Sequence, residues 1–98
     1  MPRIRISWPH GCQHLAMLAG SWSKWQPQVL LPVPNPVPNR PEIWGTEIQL
    51  PDNVDAVYRY KFIVDGEWMY DLNTPNLPND HGSFDNYVKV KKSLVAKS

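Results

Sequence analysis

Eleven prolines punctuate 98 residues, at positions 2, 9, 27, 32, 34, 36, 38, 41, 51, 75 and 78. Each removes a backbone donor and fixes φ, so one inside a helix costs roughly 3 kcal/mol. Few windows remain for three helical turns, and apolar residues at helical spacing are correspondingly hard to find. Strands suit the chain better. Arg3, Arg5 and Ser7 alternate with Ile4, Ile6 and Trp8, the period-two pattern of a half-buried strand. His14 to Ala19 reads as a second strand, and Gln28 to Leu31 as a short apolar stretch. Trp44, Thr46, Ile48 and Leu50 then share one face opposite Gly45, Glu47 and Gln49. Pro51-Asp52-Asn53 supplies turn chemistry after them.

The clearest segment is Val57 to Val64, where Tyr58, Tyr60, Phe62 and Val64 face one way and Arg59 and Lys61 the other. Asp65-Gly66 follows and predicts a type I′ hairpin into Glu67–Tyr70. A polar loop from Asp71 to Asp85 precedes a last strand, in which Asn86, Val88 and Val90 alternate with Tyr87, Lys89 and Lys91. About seven short strands with frequent turns imply an all-β sandwich. At this length one domain is expected, residues 1–92, with 93–98 a frayed tail.

The segment Pro32 to Pro41 resembles polyproline, lacks a donor at half its positions, and has no place in a sheet interior. Pro38-Asn39-Arg40-Pro41 satisfies the bare Pro-x-x-Pro spacing of adaptor-domain ligands. A stiff surface connection between two pairing strands is the simpler reading and the preferred one.

Several function classes recede on composition and spacing. No apolar run approaches the ~20 residues that span a bilayer, so no membrane partner is expected. The formal charge is +1. Lys89, Lys91, Lys92 and Lys97 therefore read as guards of a terminal edge strand, and no nucleic-acid partner is expected. A single cysteine, Cys12, forbids an internal disulfide and fits a reducing, cytoplasmic setting. Cys12 with His10 and His14 lacks the paired spacing of tetrahedral metal sites, so no metal or other cofactor is expected. Asp80-His81 resembles an acid–base pair, but lies on a loop where polar residues are ordinary. No phosphate-cradling glycine motif is present. A non-catalytic chain is the expectation.

The five tryptophans divide by context. Trp8 and Trp44 lie on apolar strand faces and belong to a core. Trp22, Trp25 and Trp68 sit in or beside turns, next to lysine and aspartate. Exposed flat rings rimmed by polar groups suit a pyranose, whose axial C–H face lies on an aromatic ring while its hydroxyls take hydrogen bonds. The alternative is that the rings plug the ends of the sandwich.

Ile6-Ser7-Trp8-Pro9, Gly20-Ser21-Trp22-Ser23-Lys24-Trp25, Tyr60-Lys61-Phe62-Ile63-Val64-Asp65-Gly66-Glu67-Trp68 and Asp85-Asn86-Tyr87-Val88-Lys89-Val90 stand in the order found in family-48 carbohydrate-binding modules. Over roughly residues 4 to 92 the chain resembles those modules, in particular the glycogen-binding domain of the AMP-activated protein kinase β subunit. The resemblance implies an immunoglobulin-like, early-set sandwich and an α-1,4-glucan ligand such as glycogen, starch or a maltooligosaccharide. It also implies a kinase complex or another protein subunit as a partner, and leaves a sugar-independent scaffold domain as the alternative. Trp25 and Trp68 match the family's stacking tryptophans, and Lys61 the lysine that bonds hydroxyls between them. Where the family has Leu-Gly-Thr-x-Asn, this chain has His81-Gly82-Ser83-Phe84-Asp85. Ser83 keeps a hydroxyl, His81 supplies no apolar wedge, and an ionised Asp85 only accepts hydrogen bonds.

Overall fold

The computed structural model describes residues 3–50 and 55–91. Among them are nine strands, two more than expected: β1 (Arg3–Trp8), β2 (Ala16–Gly20), β3 (Gln28–Val29), β4 (Leu31–Val33), β5 (Ile43–Gln49), β6 (Ala56–Val64), β7 (Glu67–Met69), β8 (Asn76–Pro78) and β9 (Phe84–Val90). One sheet runs β1-β5-β4; the other runs β3-β2-β6-β9-β8, with β7 also paired to β6. All pairings are antiparallel, and the two sheets face each other as the expected sandwich. The expected turn at Pro51-Asp52-Asn53, Lys92, Lys97 and the tail 93–98 lie outside the described residues.

The core forms because the period-two faces meet. Ile6, Trp8, Ile48 and Leu50 come from the smaller sheet or its edge, and Ala16, Leu18, Tyr60, Phe62, Val64 and Val90 from the larger. Trp8 meets Phe62 across the sandwich with ring centroids 4.9 Å apart, and its indole N–H donates to Gly11 O at 2.9 Å. Phe62 is fully buried, so truncating it to alanine would cost about 3–5 kcal/mol. Burial pushes the Tyr60 phenol up to about 12, with a smaller push from Asp71. Trp44 is half-buried and packs against the core, as its strand face implied.

The two additional strands have local causes. The stretch from Gln28 to Leu31 divides at Leu30, which is fully buried between the sheets and donates its N–H to Ala16 O. The chain thus leaves the larger sheet at β3 and enters the smaller one at β4. Pro32 and Val33 continue into β4, correcting the view of the whole proline segment as loop. Proline is tolerated there because β4 is an edge strand. Residues 34–42 then connect β4 to its neighbour β5. Asn39 within Pro38–Pro41 has φ +64, which breaks polyproline geometry between those two prolines. The second addition, β8, lies in the expected polar loop. It is three residues long, ends in Pro78 and also sits at a sheet edge.

Asn86 locks the approach to β8. Fully buried, it accepts from the Asp71 N–H at 2.8 Å and donates to Asp71 O at 2.9 Å, with Thr74 O and Pro75 O at 3.4 and 3.3 Å. The hairpin after β6 has both central residues at positive φ, Asp65 at +50 and Gly66 at +87, as a type I′ turn requires. Asp65 also ties that turn to the β1–β2 connection, accepting the backbone N–H groups of Gln13, His14 and Leu15 at 2.8, 2.7 and 3.0 Å.

Candidate carbohydrate-binding site

Lys61 occupies a junction in the larger sheet. Along one edge of β6, residues 56–60 pair with β9 and residues 62–64 with β7. Lys61 points to the outer face where one partner leaves and the other joins. Arg59 lies two residues earlier on that face, and Trp68 stands opposite Ile63 two residues later. Trp68 is 52% exposed; the hairpin turn does not cover it.

Trp25 reaches the same region from a separate turn. Ser21–Ser23 form one turn of 3₁₀-helix, then Lys24 and Trp25 both adopt left-handed backbone, at φ 55 and 63. The Trp25 N–H donates to Gly20 O at 2.9 Å and closes the turn. Ser21 Oγ accepts from the Arg59 N–H at 3.1 Å, which fastens the turn to β6. Two successive non-glycine residues in this region cost of order 1–3 kcal/mol each. The outcome is that Trp25 emerges onto the outer face, half-buried.

Trp22 goes the other way. Its ring packs over Tyr60, centroids 5.9 Å apart, and belongs to the shell of the core. Its Nε1 is buried without a hydrogen-bond partner among the described residues. Of the three turn tryptophans, Trp22 therefore plugs the sandwich while Trp25 and Trp68 face outward. Gly20 permits this, because a Cβ there would lie 2.4 Å from the Trp22 ring.

Trp25, Arg59, Lys61, Trp68, Pro78, Asn79, Asp80, His81 and Asp85 together line one open depression of about 600 Å³. Lys61 Nζ donates to Ser83 Oγ at 3.4 Å and lies 5.9 Å from the Tyr70 ring centroid. The loop from Asn79 to Ser83, which joins β8 to β9, closes the far side. Asn79 organises it, accepting the His81 and Ser83 N–H groups on Oδ1 at 2.9 and 3.1 Å and donating from Nδ2 to Asp85 Oδ1 at 2.9 Å. Asp85, expected as a hydrogen-bond acceptor for the ligand, is itself buried. Its second oxygen receives Arg59 Nη1 at 3.4 Å, so both oxygens already have donors.

All six residues singled out from the sequence thus lie at or beside this depression. The chain reading passed over Arg59 and Asn79. Arg59 shares the face of Lys61 at period two, a signal that was available; the role of Asn79 depends on a loop that no local pattern announces. Asp80 and His81 both line the depression, but the His81 contact is its backbone N–H to Asn79. The His10 ring bonds Asp71 Oδ1 at 3.0 Å and meets Trp8 edge-on at 4.7 Å. Burial pushes the Asp71 carboxyl up, but hydrogen bonds from His10, Asn73 and Thr74 outweigh it and hold it below its ordinary value.

Comparison with known proteins decides the family. Residues 2–96 match the model of the glycogen recognition site of AMP-activated protein kinase. The chain belongs to this family. Among its relatives is the SNF1 protein kinase subunit beta-3 of Saccharomyces cerevisiae, 30% identical over 87 residues, covering 89% of this chain and 19% of that subunit. The human 5'-AMP-activated protein kinase subunit beta-2 is 27% identical over 88 residues, covering 90% of this chain and 29% of the subunit. The beta-1 subunit of Sus scrofa is 37% identical over 41 residues, 42% of this chain and 34% of the subunit. The family member described here therefore spans less than a third of the first two subunits. Among the described residues, no helix is long and apolar enough to cross a membrane.

Proposed function

We propose that this domain binds α-1,4-glucans without catalysing their cleavage. Trp25 and Trp68 stack on glucose units, Lys61 donates to hydroxyls between them, and Ser83 and His81 meet the chain at the loop side. The observation that carries the reading is the convergence of two outward indoles, from unrelated turns, with an ammonium group on one open depression. An open surface suits a polymer, which must enter and leave sideways. A few stacked sugars and exposed hydrogen bonds support about −4 to −8 kcal/mol, millimolar to micromolar dissociation constants. Starch, glycogen and maltooligosaccharides all present the required face.

Titration with maltoheptaose, followed by tryptophan fluorescence, tests this directly. A saturable change is expected, with affinity reduced about 10- to 100-fold in Trp25→Ala and in Trp68→Ala. A flat response up to millimolar sugar, unaltered by either substitution, refutes the reading.

The kinship with kinase β subunits supports a second element of the proposal, that the module works in the cytoplasm within a β-type regulatory subunit and brings a kinase complex to glucan. Co-purification of a stoichiometric kinase partner, retained in Trp68→Ala, is the expected result; recovery on amylose resin alone counts against it.

A further inference from the structure

We infer that Arg59 is a further glucan-contacting residue and that Asp85 is its positioning partner, not itself a sugar ligand. The inference rests on the reading of the depression as a glucan site. Arg59 and Lys61 are successive outward residues of β6, roughly 7 Å apart along the strand. Both line the depression. A guanidinium carries five donors in a fixed fork. Nη1 serves Pro78 O at 3.0 Å and Asp85 Oδ2 at 3.4 Å. Nε and Nη2 have no partner among the described residues, and the side chain is 38% exposed.

The anchoring explains why this group suits recognition. A free arginine loses much rotamer freedom when it binds, and that loss offsets the hydrogen bonds gained. Here Asp85, 8% exposed in its side chain, holds one nitrogen in place before any ligand arrives. Asp85 is in turn held by Asn79, whose amide orders the loop through His81 and Ser83. Strand β6, the depression's floor and its far wall are thus joined through one buried carboxylate.

Charge decides the ligand class. Arg59 and Lys61 are balanced by Asp80 and Asp85 around the depression, so the site favours a neutral polyol over an anion. Binding is accordingly expected to change little with ionic strength.

Calorimetric titration of maltoheptaose into the intact chain tests the assignment. Arg59→Gln is expected to bind about tenfold more weakly, and Asp85→Asn about three- to fivefold more weakly. If Asp85 acts through Arg59, the double variant binds no worse than Arg59→Gln alone. Thermal melts accompany each variant. In the unaltered protein, the Arg59 Nε–Hε resonance, assigned by its absence from Arg59→Lys, should move on saturation with sugar whatever the variants do. Arg59→Gln binding within twofold of the parent while Trp68→Ala loses binding overturns the role of Arg59 and spares the glucan reading. So does an unmoved resonance at saturation. Additive losses in the double variant overturn the positioning role of Asp85. A parent chain that binds no glucan overturns both readings together.

Discussion

Replacing Gly20 with alanine should destabilise the domain, against the usual direction for this substitution. Gly20 has φ −149 and ψ 166, ordinary extended backbone, and Gly→Ala at a compatible position commonly stabilises by about 0.4–1 kcal/mol. Here the new Cβ would lie 2.4 Å from Cη2 and Cζ3 of Trp22 and 2.6 Å from Cζ2. Carbon atoms prefer about 3.5–4.0 Å, so the ring must retreat by more than about 1 Å. It has little room, because Tyr60 lies beneath it and is itself buried. Overpacking of this kind costs about 1–3 kcal/mol. Subtracting the backbone gain leaves a net loss centred on about 1.3 kcal/mol, or roughly 5–10 °C in the melting midpoint of a domain this size. Gly20 O also anchors the turn through Trp25 N–H, so glucan affinity should fall alongside. Melts followed by circular dichroism for Gly20→Ala, Trp22→Leu and the double variant separate the causes. If the collision is the cause, the smaller ring-free side chain relieves it, and the double variant is less damaged than the sum of the singles. A Gly20→Ala protein that melts at or above the parent refutes the reasoning.

Two other perturbations follow from the hydrogen bonds. Asn86→Ala removes two short bonds to Asp71 and leaves a buried N–H unmatched, about 3 kcal/mol, so the thermal midpoint should drop by about 12 °C or more; a drop below about 4 °C contradicts the locking role. Asp65 is held below its ordinary value by the N–H groups of Gln13, Leu15 and His14. Asp71 is also depressed, so at acid pH the unfolded chain binds more protons than the folded one. Their contribution is complete above about pH 4 to 5 and is lost as pH falls towards the folded values. Denaturant midpoints measured from pH 7 to 2 should decline along an acid limb that is shallower in Asp65→Asn, and a limb that superimposes on the parent's excludes Asp65 as a contributor.

Features written in neighbouring residues were legible before any coordinates. The outward placement of Lys61, the hairpin at Asp65-Gly66 and the core face of β6 all follow from alternation and turn chemistry, which operate within a few residues. Trp25 and Trp68 stood out because each adjoins a turn. What escaped depends on distant partners. β8 is too short and too rich in proline to carry a pattern, and pairs only because β9 lies beside it. Leu30 looks like any apolar strand residue until two sheets close around it. Trp22 and Trp25 are three residues apart in similar surroundings, and nothing local says that one turns inward over Tyr60 and the other outward. That divergence is decided by Gly20, whose missing side chain admits the Trp22 ring.

The strained turn at Lys24 and Trp25 then acquires a physical purpose. A 3₁₀ turn continued with ordinary right-handed geometry would carry residue 25 onward in the sense already taken by residue 22, whose ring is committed to the core shell. Reversing φ at two successive residues redirects the chain, and the Trp25 N–H returns to Gly20 O to hold the reversal. The anchor from Ser21 Oγ to the Arg59 N–H ties this reversed turn to the strand that carries Lys61. Packing of Trp22 on Tyr60, whose ring in turn meets Phe62 edge-on, helps hold the turn from which Trp25 emerges. The same β6 strand thus supports one tryptophan from inside and presents residues beside the other outside, so the stability of the turn and the shape of the depression are coupled through a single element.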